Sequence, residues 1–259
     1  MTRRYKNPPI EEAMCEFTFV TTAPGAQWDL TLPGRVQQHE DLKNVYIGPS
    51  RQQHVQQVIA EATSPNTLAT FALSTALLRV ILPTPDNSAV LGIGPNTLSI
   101  SSLKPYEGWT RFRPRILAGL AAYRSVAKPP QIERMILKYV NRIIAPHPGA
   151  ATAARYLADI GPTHDVVVED GATLSTRLNA YNYRKEFIAP DATKIVVTQA
   201  TIEPGNAATS EFLLDIEILW DQRLSFEDAE TKLEALHATE GAIFESFIKD
   251  DARSLFDAC

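Results

Sequence analysis

Three carboxylates near the start of the chain are the first residues whose spacing could do chemistry. In PPIEEAMCEFTFV, Glu11, Glu12 and Glu16 fall within six residues. Two carboxylates brought together can hold a metal ion or divide acid and base work between them. In an extended segment Glu12 and Glu16 share a face but stand about 13 Å apart, too far to share one ion without a bulge. The spacing therefore favours a structural role, in which these glutamates meet basic residues of another element, expected at Arg134 to Arg142.

The second cluster is basic. Arg111, Arg113 and Arg115 precede Arg124 and Lys128, and Arg134, Lys138 and Arg142 then recur every four residues. That interval puts the last three on one face of either a strand or a helix. Guanidinium forks suit carboxylate or phosphate groups. The expected ligand- or partner-binding set is therefore Glu12, Glu16, Arg113, Arg134, Lys138, Tyr139, Asn141 and Arg142. No catalytic residue, metal ligand or cofactor is assigned.

The remaining reactive types read as structural. The five histidines form no HExxH, HxxxH or HxH pair, the spacings that place two imidazoles on one metal. His164 and Asp165, with Glu169 and Asp170, could make a loose metal site, but polar turns flanking VVV account for them. His237 has Glu240 three residues on, which predicts a local hydrogen bond on the last helix. Cys15 alternates with phenylalanines and reads as a small core residue. LGIGPNTLS has two glycines, but neither the strand-to-helix context nor the GK[ST] ending of a phosphate loop.

Composition narrows the class. The chain has 259 residues, enough for one large domain or two small ones. At 44% hydrophobic and 21% charged it is not a disordered sequence. A formal net charge of −5 excludes the uniformly basic surface that non-specific nucleic-acid binding needs, leaving only a local basic patch. Two cysteines cannot build a disulfide framework. No apolar run follows MTRRYKNPP as a secretory signal would require, and no stretch of about 18 apolar residues could span a bilayer. A cytoplasmic protein without a membrane partner is expected.

These residues need elements to hold them. Pro8 and Pro9 make the opening a stiff extended strap, and AMCEFTFV alternates like a strand with one apolar face. TLPGRVQQHEDLK suits a short helix with Thr31 as N-cap. Residues 50–67, rich in glutamine, read as an exposed strand or loop. Strands at Leu77 to Leu82, Ala89 to Ile93 and Thr97 to Ser101, joined by PTPDNS and GPN, predict an antiparallel meander. Trp109, Phe112, Ile116, Leu120 and Tyr123 recur at helical spacing, with Pro114 demanding either a start near Arg113 or a kink.

IERMILKYVNRII fits a helical period, yet the prolines before it and its Ile, Val and Tyr content favour a buried strand. AATAARYLADIG reads as a short helix closed by Gly161. HDVVVEDGATLSTRLNAYNY, ATKIVVTQATI and SEFLLDIEILWD read as strands. From Ser225, paired with Asp228 in a capping box, the apolar stripe from Leu233 to Phe256 predicts one helix of about 45 Å. The order is strand, helix, meander, helix, twice over. An α+β fold follows, antiparallel sheet on long helices, with related halves at 1–130 and 131–259 in one compact unit.

Four blocks, PPIEEAMCEF, YEGWTRFRPRILAGLAAYRSVAKP, ILKYVNRI and LHATEGAIFESFIKDDARSLF, occur in an order that resembles a sporadically distributed prokaryotic family of similar length. The resemblance spans nearly the whole chain and makes residues 132–144 a strand. It implies no reaction and no catalytic residues. A scattered distribution of that kind is typical of accessory genes such as defence or toxin–antitoxin components. The leading expectation is a non-catalytic interaction or regulatory protein of such a system, binding a protein partner or its own copies. The alternatives are a small-molecule-binding module, its pocket between sheet and long helix near Tyr139, Asn141 and Arg142, and a metal-dependent hydrolase or nuclease.

Overall fold

The prolines at the start do what their geometry dictates. In the computed structural model, which describes residues 5–21, 28–61, 70–149, 152–159, 166–167, 173–174 and 180–257, the strap is fastened at both ends. Asn7 N–H donates to the Phe256 carbonyl at 2.9 Å, and Arg142 N–H donates to the Pro9 carbonyl at 2.8 Å. Strand β1 (Ile10–Phe19) follows. Its odd residues Ala13, Cys15, Phe17 and Phe19 are fully buried, and its even residues are half-buried.

Helix α1 (Leu32–Gln37) leads to a meander of β2 (Arg51–Glu61), β3 (Thr70–Pro83), β4 (Ala89–Ile93) and β5 (Thr97–Leu103). Helix α2 (Trp109–Ala127) closes this segment. Strand β6 (Ile132–Ala145), helix α3 (Ala153–Tyr156) and a two-stranded ribbon of β7 (Val166–Val167) and β8 (Thr173–Leu174) come next. Then follow β9 (Asn182–Ile188), β10 (Lys194–Ile202), β11 (Ser210–Trp220), α4 (Ala229–Phe247) and α5 (Asp250–Asp257). Nine strands form one antiparallel sheet in the order β2-β3-β4-β5-β1-β6-β11-β10-β9. Strand β1 is the middle one, with β6 beside it. The chain is thus an α+β protein. No helix among the described residues is long and apolar enough to cross a membrane.

Segment 132–144 is a strand despite its helical period. Pairing with β1 and β11 on its two edges holds it extended; Met135, Leu137, Tyr139 and Ile143 are buried on one face, while Ile136, Val140 and Ile144 alternate with the charges of the other, so apolar residues appear on each face. Two helices depart from expectation. Pro114 sits inside α2, which runs unbroken from Trp109; the hydrogen bond it removes belongs to the carbonyl of exposed Thr110, which water can satisfy. The single helix of about 45 Å is two pieces. Helix α4 spans about 28 Å, and Ile248 then turns extended at φ −107° and ψ 151°. There the backbone is recruited to pair with the stretch after α3: Ala158 N–H donates to Phe247 O at 2.9 Å and Lys249 N–H to Tyr156 O at 2.8 Å. Asp250 and Asp251 open α5, where carboxylates favour a helix start. Ser225 and Asp228 do bond, Asp228 N–H donating to Ser225 Oγ at 3.1 Å and Ser225 Oγ to Asp228 Oδ2 at 2.6 Å, but α4 begins only at Ala229 with Asp228 as its N-cap, three residues after the expected Ser225. Gly161, the expected stop after α3, lies outside the described residues.

Helix contacts go to one face of the sheet. On α2, Tyr123 stacks on Phe19 with centroids 4.4 Å apart, and Gly119 lies over Ile100. A Cβ at Gly119 would stand 3.0 Å from Ile100 Cγ1. Gly119→Leu is therefore expected to cost about 1–3 kcal/mol through overpacking, read as a lower urea midpoint at unchanged slope.

Candidate functional site

The alternation of β1, β6 and β11 sorts the expected binding residues onto opposite sides of the sheet. Glu12 and Glu16 of β1 and Arg134, Lys138 and Arg142 of β6 share the face away from the helices, joined by Glu211, Asp215 and Glu217 of β11. Tyr139 and Asn141 point the other way, beneath the helices, and are 1% exposed. Arg113 is on α2, where it pairs with Glu230 and Glu234 of α4. The eight residues therefore occupy three places.

On the open face most charges have a cross-strand ionic partner. Lys138 Nζ lies 2.9 Å from Asp215 Oδ2 and 3.9 Å from Glu217 Oε1. Burial pulls the Lys138 ammonium down, but Asp215, Glu217 and Glu12 outweigh it and raise its pKa. Arg142 Nε donates to Glu211 Oε2 at 2.6 Å, and Gly205 N–H to the other oxygen at 2.9 Å. These bonds hold the Glu211 carboxyl below its ordinary pKa, the Gly205 bond most.

The expected meeting of Glu16 with Arg134 to Arg142 does not form. Glu16 pairs with Arg79 of β3, whose Nη1 lies 3.1 Å from Glu16 Oε2 and 3.1 Å from Ser99 Oγ. Arg134 donates to Thr18 Oγ1 at 3.3 Å. The reason is register: Arg134 is opposite Thr18, and Glu16 is opposite Ile136 on one side and Ser99 on the other. No periodicity within β1 or β6 carries that information.

The helix side holds a polar cluster that the residue types did not announce. Tyr139 Oη stands 3.2 Å from Tyr106 Oη and 3.4 Å from His237 Nδ1. The imidazole stacks on Trp109 with centroids 3.9 Å apart and planes at 16°. Trp109 Nε1 donates to Glu234 Oε2 at 3.2 Å. The expected bond between His237 and Glu240 is replaced by these contacts. Glu240 is 6% exposed, and its carboxyl makes no hydrogen bond among the described residues. One signal was readable: Glu240 falls four residues after Leu236 and four before Phe244, on the apolar stripe.

Burial decides the charge state here. It pushes the Glu240 carboxyl up to about 8 and the His237 imidazole below its ordinary value, Glu234 offsetting part of that. At neutral pH the carboxyl holds its proton and the imidazole is neutral. Acidification should protonate His237 only below about pH 6.5. Because imidazolium quenches a stacked indole, tryptophan fluorescence is expected to fall there, and His237→Leu to remove the step.

Among the described residues no three His, Cys, Asp or Glu side chains are grouped to hold a metal ion. His164, Asp165, Glu169 and Asp170 lie outside the described residues. No family model matches the chain, and no curated protein matches it.

Proposed function

We propose that the protein is a non-catalytic interaction or regulatory protein that receives a protein partner on the open face of its sheet. The observation that carries this reading is the mosaic on β1, β6 and β11, in which ion pairs alternate with Met14, Ile136, Val140, Leu213 and Leu219. Partly exposed apolar side chains set among ion pairs give a protein partner area to cover, and a face with most of its charges matched offers little to a polyanion. The resemblance to a sporadically distributed prokaryotic family supports a cytoplasmic accessory system of the defence or toxin–antitoxin kind. The strand order supports the two-half reading: β1 lies beside β5, the last strand of its own meander, and β6 beside β11, the last strand of its own.

Val140 is placed to test this. It stands between Glu12 and Asp215 in register, so Val140→Arg finds a carboxylate on either side and folds, while projecting bulk and charge from the face. A partner captured by the wild type is expected to be lost with Val140→Arg and kept with Ala238→Arg, on the exposed side of α4. Equal capture by both variants removes the face from the account.

A second reading, a small-molecule binder, draws on Glu240. A buried carboxyl with no hydrogen-bond partner among the described residues, near enough to Tyr106 and Tyr139 to raise the pKa of both, is complementary to an amine. On that reading n-butylamine raises the melting temperature of the wild type and leaves Glu240→Gln unmoved.

A further inference from the structure

Arg79, Lys138 and Arg142 of the open face each pair with a carboxylate of another strand. Arg134, on the same face near the start of β6, pairs with none among the described residues. Its Nη2 donates to Thr18 Oγ1 at 3.3 Å, and its Nε is buried without a partner. The side chain is half-buried. A guanidinium that has given up part of its water without gaining an anion carries a desolvation cost that an incoming carboxylate would offset.

The register explains why no carboxylate of the chain does so. Arg134 stands opposite Thr18. The next residue of β1 on that face, Glu16, is about 7 Å along the strand and is held by Arg79, whose arm passes Gly92 and whose Nη1 meets both Glu16 and Ser99. On the other side β11 ends at Trp220, opposite Met135, and the following Asp221 is exposed and makes no ion pair among the described residues. Thr18 Oγ1 accepts from Arg134, so its own proton is left to donate. A hydroxyl and a guanidinium side by side fit the two oxygens of one carboxylate. The charge count agrees. Arg79 and Glu16 cancel, which leaves one positive charge for one negative charge to balance, whereas a phosphate dianion would overshoot it beside Glu16. Leu219, partly exposed one row away, gives the segment that carries the carboxylate apolar area to cover.

We infer that Arg134 and Thr18 form the subsite that receives an aspartate or glutamate side chain of the protein partner. This rests on the reading of the open face as an interaction surface and names the chemistry that the partner must bring to it.

The test uses acetate as the probe, titrated into the nitrogen-15-labelled full chain at an ionic strength held constant with NaCl. The Thr18 amide and Arg134 Nε–H signals are expected to shift along a saturable curve. Binding should weaken about tenfold in Arg134→Gln, the loss of a charge-assisted hydrogen bond, and should weaken also in Thr18→Val. Melting curves establish that each variant is folded; if Arg134→Gln is not, Thr18→Val and the wild-type titration decide. Inorganic phosphate should bind less well than acetate. No saturable response to acetate overturns the inference, as does a response unchanged in the variants or tighter binding of phosphate. The source of the carboxylate is read from capture: a partner lost with Val140→Arg should be lost with Arg134→Gln as well. If that partner is kept by Arg134→Gln, the inference falls and the interaction reading stands. If acetate binds while no partner depends on Val140, the interaction reading falls and takes the partner's side chain with it, leaving a site for a free carboxylate.

Discussion

Glu240→Gln is expected to stabilise the protein, and more so as the pH rises. The carboxyl titrates at 4.5 when the chain is unfolded and at about 8 when it is folded. Below pH 4.5 both states hold the proton and the group contributes no difference. Between 4.5 and about 8 the unfolded chain releases the proton and the folded chain keeps it, so stability declines as pH rises. Above about 8 the full penalty is present, on the order of 5 kcal/mol. Glutamine has the same shape and no charge to bury. The difference between variant and wild type in urea unfolding should be small at pH 4.5, on the order of 3 kcal/mol at pH 7, and largest at pH 9. Two parallel pH profiles would contradict the burial of that carboxyl.

His237 bends the same curve from the other side. Its folded pKa is depressed, so the unfolded imidazole takes up a proton first and stability falls as the pH drops below about 6.5. In the Glu240→Gln background this limb should remain and His237→Leu should remove it, leaving the loss at lower pH that carboxylates held below their ordinary value, such as Glu211, contribute.

Phe19→Ala is expected to be the most damaging single truncation among those considered. Phe19 is 1% exposed, and its ring is stacked at 4.4 Å on Tyr123 and lies 6.3 Å from Phe17 and 6.1 Å from Phe226. It therefore ties β1 to α2 and to the turn that leads into α4. Removing such a ring loses its transfer free energy and leaves a cavity that three neighbours cannot fill, about 3–5 kcal/mol. Met14→Ala, on the open face of the same strand, should cost clearly less, because its side chain is partly exposed and has less apolar area to lose from burial. If the two substitutions proved equal in a denaturant titration, the assignment of the two faces would be wrong.

The alternation of Cys15, Phe17 and Phe19 showed in advance which side of β1 is buried, and PTPDNS and GPN marked the meander's turns, because both are local effects of period and φ. Residues 132–144 were harder. A strand flanked on both sides, with apolar residues on each face, loses the alternation that distinguishes it from a helix. The break at Ile248 was invisible for a different reason: it comes from a backbone pairing with Leu157, far away in the chain.

The binding set was legible as a set of charges but not as an arrangement. Spacing put Arg134, Lys138 and Arg142 on one face, which they share, whereas their partners were decided by the order and register of strands from both ends of the sequence. Tyr139 and Asn141, next to those residues in the chain, end on the opposite side by the strand's period of two. The cluster around His237 needed Trp109 and Tyr139 to be brought to it by separate elements, which no spacing within α4 reveals.

The account depends most on the claim that the open face is where the protein acts, and photocrosslinking in cells that naturally carry the gene tests it most directly. A benzophenone amino acid placed at Val140 reports on the open face, and one at Ala238 on the exposed side of α4. The account predicts a discrete protein adduct from Val140, and none from Ala238. Adducts from Ala238 alone, or none from Val140 at any expression level, would contradict it.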